Sequence, residues 1–184
     1  MKTLTYDLHL HSCLSPCGDN EMTPATIAGM AKIIGLDLIA LTDHNSCKNC
    51  PAIQKAANAY GILFLPGMEL TTAEEVHVLC YFPTCMNAAM HFDSYVSSHL
   101  PHIPNKPALF GEQRICDEED QILGQENRLL ISATDIPFSS VYDLVQQFDG
   151  IMVPAHIEQT KYQSSRKSWF YSGRQSLFLC RNKK

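Results

Sequence analysis

Three short apolar runs in the first seventy residues each end in a cluster of polar side chains, with helical segments between them. Leu4, Tyr6 and Leu8 lead into His9 and His11. Leu36 to Leu41 leads into Thr42-Asp43-His44-Asn45, and Ile62 to Leu65 leads into Pro66-Gly67-Met68-Glu69. Between the first two runs, Thr23-Pro24 offers a helix N-cap with proline at the first helical position. Ile27, Met30, Ala31 and Ile34 follow at helical spacing, and Gly35 closes the helix. Ala52 to Tyr60, rich in alanine, predicts a second helix. Alternation of strand and helix in this order predicts an α/β fold built from right-handed parallel units. Its polar residues gather on the rim at the C-terminal ends of the strands, where such folds place their chemistry.

Too few residues separate Thr72 from Val76 for a parallel crossover, so Val76 to Phe82 is expected to return antiparallel. A three-residue turn at Ala73 to Glu75 would pair Thr71 with His77 and put Glu69 and His77 on one face. Further on, Met86 to Leu100 predicts a helix. Gln113 to Cys116 and Leu129 to Thr134 predict two strands bracketing an acidic segment. Ser139 to Phe148 predicts a short helix, and Gly150 to Pro154 a buried strand that delivers Ala155-His156.

A chain of 184 residues, 45% apolar and 18% charged, suits one soluble globular domain. It has neither an apolar run of the roughly 20 residues that span a bilayer nor an N-terminal signal pattern, so no membrane association and a cytoplasmic location are expected. Its eight cysteines then read as reduced thiols, and the short Cys47/Cys50 spacing does not by itself make a zinc site. The net charge of −5 is unevenly spread: residues 1–160 hold seven basic and nineteen acidic side chains, a net of −12, and the other seven basic residues follow. A body this acidic argues against stable duplex DNA binding, because phosphate affinity comes mostly from Lys and Arg.

Side chains in a strand repeat every second residue, so His9 and His11 reach the same side while Leu8 and Leu10 are expected on the other. The pair Asp43 and His44, then Glu69, His77 and His156, sit on, or just past, four further predicted strands. That regularity points to one shared site. Five imidazoles and a carboxylate form a nitrogen and oxygen donor set suited to Zn, Mn or Fe. They exceed what one tetrahedral ion needs, so two or three divalent ions are expected.

At these positions the chain resembles the polymerase and histidinol phosphatase (PHP) family. The carrying residues are Asp7 to Ser12, Gly35 to Asn45, Gly67-Met68-Glu69, Val76 to Leu79, and Pro154-Ala155-His156, so that the resemblance covers roughly residues 3 to 158. It is closest to the small phosphoesterases of that family that act on nucleotides. The resemblance implies a distorted (β/α)7 TIM-like barrel whose metal-activated hydroxide hydrolyses a phosphate ester. The substrate would be a phosphorylated small molecule or a short nucleic acid. Carried over by residue, His9 and His11 would hold a first ion and Glu69 would bridge to a second, completed by His77 and His156. His44 would serve a third ion, and Asp43 beside it would orient a ligand; these two are the expected catalytic pair.

Two departures from the family pattern bear on this. Where members carry an acidic residue or histidine shortly after the first motif, this chain has Pro16 and Cys17, with Asp19 just beyond; Asp19 is preferred as the third-site ligand, with Cys17 the alternative. After His156 there is no Asp or His to supply the family's last Asp-x-His. The expected organisation is therefore a phosphoesterase domain over 1–158, a barrel incomplete at its C-terminus, and a basic tail over 159–184 of aberrant or disordered character. A frameshift near residue 163 would account for that tail. The rival reading is a degenerate, non-catalytic metal-binding product.

Overall fold

The computed structural model describes residues 3–83 and 85–155. His156 and the basic tail lie outside the described residues. In chain order the elements are β1 (Tyr6–Leu10), α1 (Pro24–Ile34), β2 (Leu38–Leu41), α2 (Cys50–Ala59), β3 (Leu63–Thr71) and β4 (His77–Tyr81). They continue with α3 (Met86–His99), α4 (Pro107–Phe110), β5 (Arg114–Cys116), β6 (Ile122–Gln125), α5 (Phe138–Gln147) and β7 (Ile151–Pro154). Five strands form one sheet in the order β1-β2-β3-β4-β7, and β5 and β6 form a separate hairpin. β1, β2 and β3 run parallel, whereas β4 returns antiparallel and pairs with β7 on its far side. This is a mixed α/β fold with the curled sheet of a half-barrel. Among the described residues β1 and β7 remain its edges, so the sheet is an open one of five strands rather than the expected (β/α)7 barrel.

One face of the sheet packs against the helices. Ile39 and Leu41 of β2, Met68 and Leu70 of β3, and Val78 and Cys80 of β4 share a cluster with Ile27, Ile53, Phe92 and Val141. The opposite face carries a smaller cluster of Ala40, Leu79 and Tyr81, with Leu8, Leu65 and Ala155 against it. β1 contributes to both faces out of strict alternation. Its register against β2 shifts between Asp7 and Leu10. Leu10 therefore joins the helix-side cluster while Leu8 packs on the inner face. Leu8 and Leu10 were expected together; the bulge separates them, because one extra residue inverts the facing of everything beyond it. The Asp7 carboxylate accepts the His9 backbone N–H at 3.1 Å within this irregularity.

α1 starts at Pro24 and ends where Gly35 adopts φ +85°, as expected, but its stripe is rotated. The buried positions are Pro24, Ile27, Ala28 and Ala31, and Met30 and Ile34 face outward, 50% and 65% exposed. Small alanines bring this helix close, which turns the larger side chains away. β3 runs six residues further than its apolar run, straight through Pro66-Gly67 to Thr71. Thr71 pairs with His77 as expected, and Glu69 lies opposite Leu79.

The stretch after α3 differs most from expectation. β5 pairs with β6, which occupies the middle of the acidic segment, and Leu129 to Thr134 forms no strand. That stretch is fixed by buried polar side chains instead. Asn45 donates to the carbonyls of Leu130 and Ser132, and Gln113 donates to those of Glu126 and Arg128 while accepting from Leu130 N. β7 is a strand as expected but not a buried one. Ile151 and Val153 are 52% and 39% exposed, because β7 is a sheet edge among the described residues.

Candidate metal centre

The parallel order of β1, β2 and β3 brings the ends of their apolar runs to one rim. His9 is the penultimate residue of β1 and His11 follows it, Asp43 and His44 follow β2, and Glu69 lies near the end of β3. β4 runs the other way, so its first residue, His77, arrives at the same rim. Past the end of β2 the chain continues beside β3: His44 bridges Glu69, Asn45 N donates to Glu69 O, and Glu69 N donates to Asp43 O. These bonds hold the carboxylate against the imidazoles. The result is a cleft of about 320 Å³ lined by His9, His11, Cys17, His44, Glu69 and His77.

At its centre Nε2 of His9, Nε2 of His11 and Oε2 of Glu69 form a triangle with every side 3.1 Å. The other Glu69 oxygen, Oε1, lies 3.0 Å from Nδ1 of His77. Nδ1 of His44 sits 3.5 Å from Oε2 and is buried without a hydrogen-bond partner. Ligands of a tetrahedral ion at 2.0–2.1 Å stand about 3.3 Å apart, so the triangle has nearly the spacing that a shared cation imposes. The residues fit a divalent metal. Three overlapping groups can each surround one: His9 with His11 and Glu69, His44 with Glu69 and His77, and His11 with Cys17 and His44.

The electrostatics agree with this. Burial opposes ionisation of Glu69, which is 1% exposed, but hydrogen bonds from His11, His77 and His9 outweigh it and hold the carboxyl far below its usual range. Burial also works against charging His11, yet bonds to Cys17 and Glu69 push its pKa up to about 10. Without a metal, a proton on His11 balances the Glu69 charge. Burial lowers His44 to about 4, against the pull of Glu69 and assisted by the neighbouring imidazoles, so it is neutral and able to donate a lone pair.

Asp43 is fully buried and does not line the cleft. Its Oδ1 accepts from Ser12 N at 2.6 Å and from the Ser15 hydroxyl at 2.8 Å, and its Oδ2 accepts from the Ser12 hydroxyl at 2.6 Å. Burial raises its pKa and these donors oppose the rise. Ser15 Oγ also lies 3.0 Å from Nδ1 of His11 and accepts from His44 N. With its own proton given to Asp43, Ser15 must accept from His11 Nδ1–H, which leaves Nε2 of His11 facing the triangle.

The structure thus brings together His9, His11, His44, Glu69 and His77, with Asp43 one shell behind. Asp19 stands apart: it is exposed, and its carboxylate accepts from Glu21 N in its own turn. Cys17 occupies the position beside His11 and His44 instead. His156 lies outside the described residues. The importance of Ser15 could not be read from the sequence, since a serine in an irregular loop carries no periodic signal; its one hint is a position four residues after His11. Thr42 bonds back to Leu10 O and joins strands rather than facing the cleft.

Fold and site together define an α/β protein with a histidine-rich candidate metal centre at one rim of its sheet. The sequence model of the PHP domain matches residues 7–180, and the chain belongs to that family. A 5'-3' exoribonuclease from Salmonella typhimurium is 32% identical over 74 residues, 39% of this chain and 24% of that protein. A 5'-3' exoribonuclease from Haemophilus influenzae is 31% identical over 80 residues, 42% of this chain and 28% of that one. The chain therefore matches only about a quarter of the length of these curated relatives.

Among solved structures, a Bifidobacterium adolescentis protein assigned as a metal-dependent phosphoesterase superposes with a TM-score of 0.59 at 19% identity, covering 91% of this chain and 72% of that one. A lesion-specific endonuclease from Pyrococcus furiosus superposes with a TM-score of 0.55 at 22% identity, covering 83% of this chain and 34% of that one. At such identities these likenesses define the fold.

Proposed function

We propose that this chain is a hydrolase of phosphoric ester bonds. Its substrate is a nucleotide or short oligonucleotide, and two or three divalent ions, Zn, Mn or Fe, are held by His9, His11, His44, Glu69, His77 and His156. The observation that carries the reading is the 3.1 Å triangle of two imidazole nitrogens and one buried carboxylate oxygen. Divalent ions there supply Lewis acidity, which lowers the pKa of water and offsets phosphate charge. The chain's own part is positional. Glu69 spans two groups of imidazoles with its two oxygens, and Asp43 fixes His11 through Ser15.

The described cleft lining contains no Lys or Arg, so imidazoles, a carboxylate and a thiol are what a phosphate meets. The nucleic-acid side of the reading draws on the two exoribonuclease relatives and the endonuclease neighbour. Among the described residues no helix is long and apolar enough to cross a membrane, and the described cysteines are free thiols. Reduced thiols support a cytoplasmic location.

Turnover of the full chain on p-nitrophenyl phosphates, nucleoside monophosphates and short RNAs tests this, with Mn or Zn supplied. Hydrolysis abolished by a chelator, and lowered at least about 100-fold by His9→Ala, is the expected result. Stoichiometric metal binding with no turnover on any of them would favour the degenerate, non-catalytic reading. A chain that binds no divalent ion would remove the metal centre altogether.

A further inference from the structure

The third donor group differs in kind from the other two: it contains a thiol. Cys17 lines the cleft in the loop between β1 and α1, and its Sγ lies within 4.8 Å of a ring nitrogen of His11 and of His44. His44 is 4% exposed, its Nδ1 has no hydrogen-bond partner, and one of its ring nitrogens shares a donor group with that sulphur. His11 belongs to this group and to the triangle as well. Its Nδ1 is taken by Ser15 and its Nε2 belongs to the triangle. His44 is likewise shared, with Glu69 and His77, so Cys17 is the donor that this corner adds.

Resting on the phosphoesterase reading above, we propose that Cys17 is a cation ligand and sets the metal selectivity of this corner. A nitrogen and sulphur donor pair takes thiophilic ions such as Zn(II) and Co(II), and discriminates against Mn(II) and Mg(II), which prefer oxygen. Binding releases the thiol proton to solvent and forms the sulphur–metal bond without any change of oxidation state. The other described cysteines do not compete. Cys13, Cys47, Cys50, Cys80 and Cys116 are buried, and the exposed Cys85 caps α3 by accepting from Ala88 N.

Cobalt and zinc loading of the full chain separates the outcomes without recourse to catalysis. Metal-free protein titrated with Co(II) should develop a thiolate-to-cobalt charge-transfer band in the near ultraviolet that Cys17→Ser lacks and Cys85→Ser keeps. By elemental analysis Cys17→Ser should hold one zinc fewer than the wild type. Its preference for zinc over manganese should fall at least about tenfold, the lower bound for losing a group that merely orients a ligand. Cys17→Asp, which puts a hard oxygen donor in the same place, should lose the band and gain manganese. A band that survives Cys17→Ser, or equal zinc content in the two proteins, overturns the inference. Wild type that binds Mn in the Glu69 groups but shows no sulphur band overturns this inference alone, whereas wild type that binds no divalent ion overturns the phosphoesterase reading as well.

Discussion

Ser15 meets three needs with one hydroxyl: it donates to Asp43, accepts from His44 N, and lies against Nδ1 of His11. Removing it leaves a buried carboxylate short of a donor and lets the His11 ring turn. Ser15→Ala should keep the fold yet weaken divalent-ion affinity about 10–100-fold, the usual cost of losing a partner behind a ligand. Competition against a fluorescent chelator measures this, and an unchanged affinity would show that the relay positions nothing. Glu69→Gln should be more damaging, because it removes the one carboxylate around which four imidazoles gather. Isothermal titration should find both Glu69 groups lost, while Cys17 and His44 stay in place.

The elements that carry these residues differ in how openly the sequence declares them. Apolar runs ending in His9, His44 and Glu69 announce strands, since a buried strand needs little beyond continuous hydrophobicity and a polar stop. The β3–β4 hairpin was legible from the shortness of the link between Thr72 and Val76 alone. The bulge in β1 was not, because a single extra residue leaves no compositional mark. The hairpin of β5 and β6 and the segment after it are not legible in the sequence, for a different reason. Their places are fixed by side-chain bonds from Asn45, Asn49 and Gln113 to distant backbone, and such bonds have no period. Asn49, for example, donates to Ser12 Oγ and Arg114 O and accepts from Cys116 N, pinning the first loop to β5.

Asn49→Ala should accordingly lower stability by about 1–3 kcal/mol, since it strands buried polar partners. Denaturant unfolding reads this; a change below about 0.5 kcal/mol would mean that the pin is dispensable. The first loop has a second constraint. A Cβ on Gly18 would lie 2.0 Å from Ser12 O, a backbone atom, so the loop closes only around a residue without a side chain. Gly18→Ala should cost about 1–3 kcal/mol or more and shift neighbouring Cys17, visible as loss of its cobalt band.

Across the whole molecule, the candidate centre joins four strands that the apolar cluster behind them also joins. Its six lining residues span positions 9 to 77, so a bound ion would cross-link the first half of the chain. Ligands that bind only the folded state stabilise it, by about 2.7 kcal/mol at a hundredfold excess over Kd. The melting temperature should therefore rise with Mn or Zn and fall back with chelator, a response that His9→Ala should blunt. Calorimetry with no metal-dependent shift would contradict a preformed site.

The shared rim was legible because His9 and His11, His44, and Glu69 end three apolar runs whose strands lie parallel, and a short antiparallel return brings His77 to the same rim. Which of Cys17 and Asp19 would join it was not, since two residues of irregular loop decide between facing the cleft and facing solvent. Diffraction from crystals soaked in Mn or Zn, recorded at the metal's absorption edge, tests the central claim most directly. An anomalous peak about 2.0–2.2 Å from Nε2 of His9, Nε2 of His11 and Oε2 of Glu69 together is the expected result. A saturated crystal with no peak between those three atoms would contradict it.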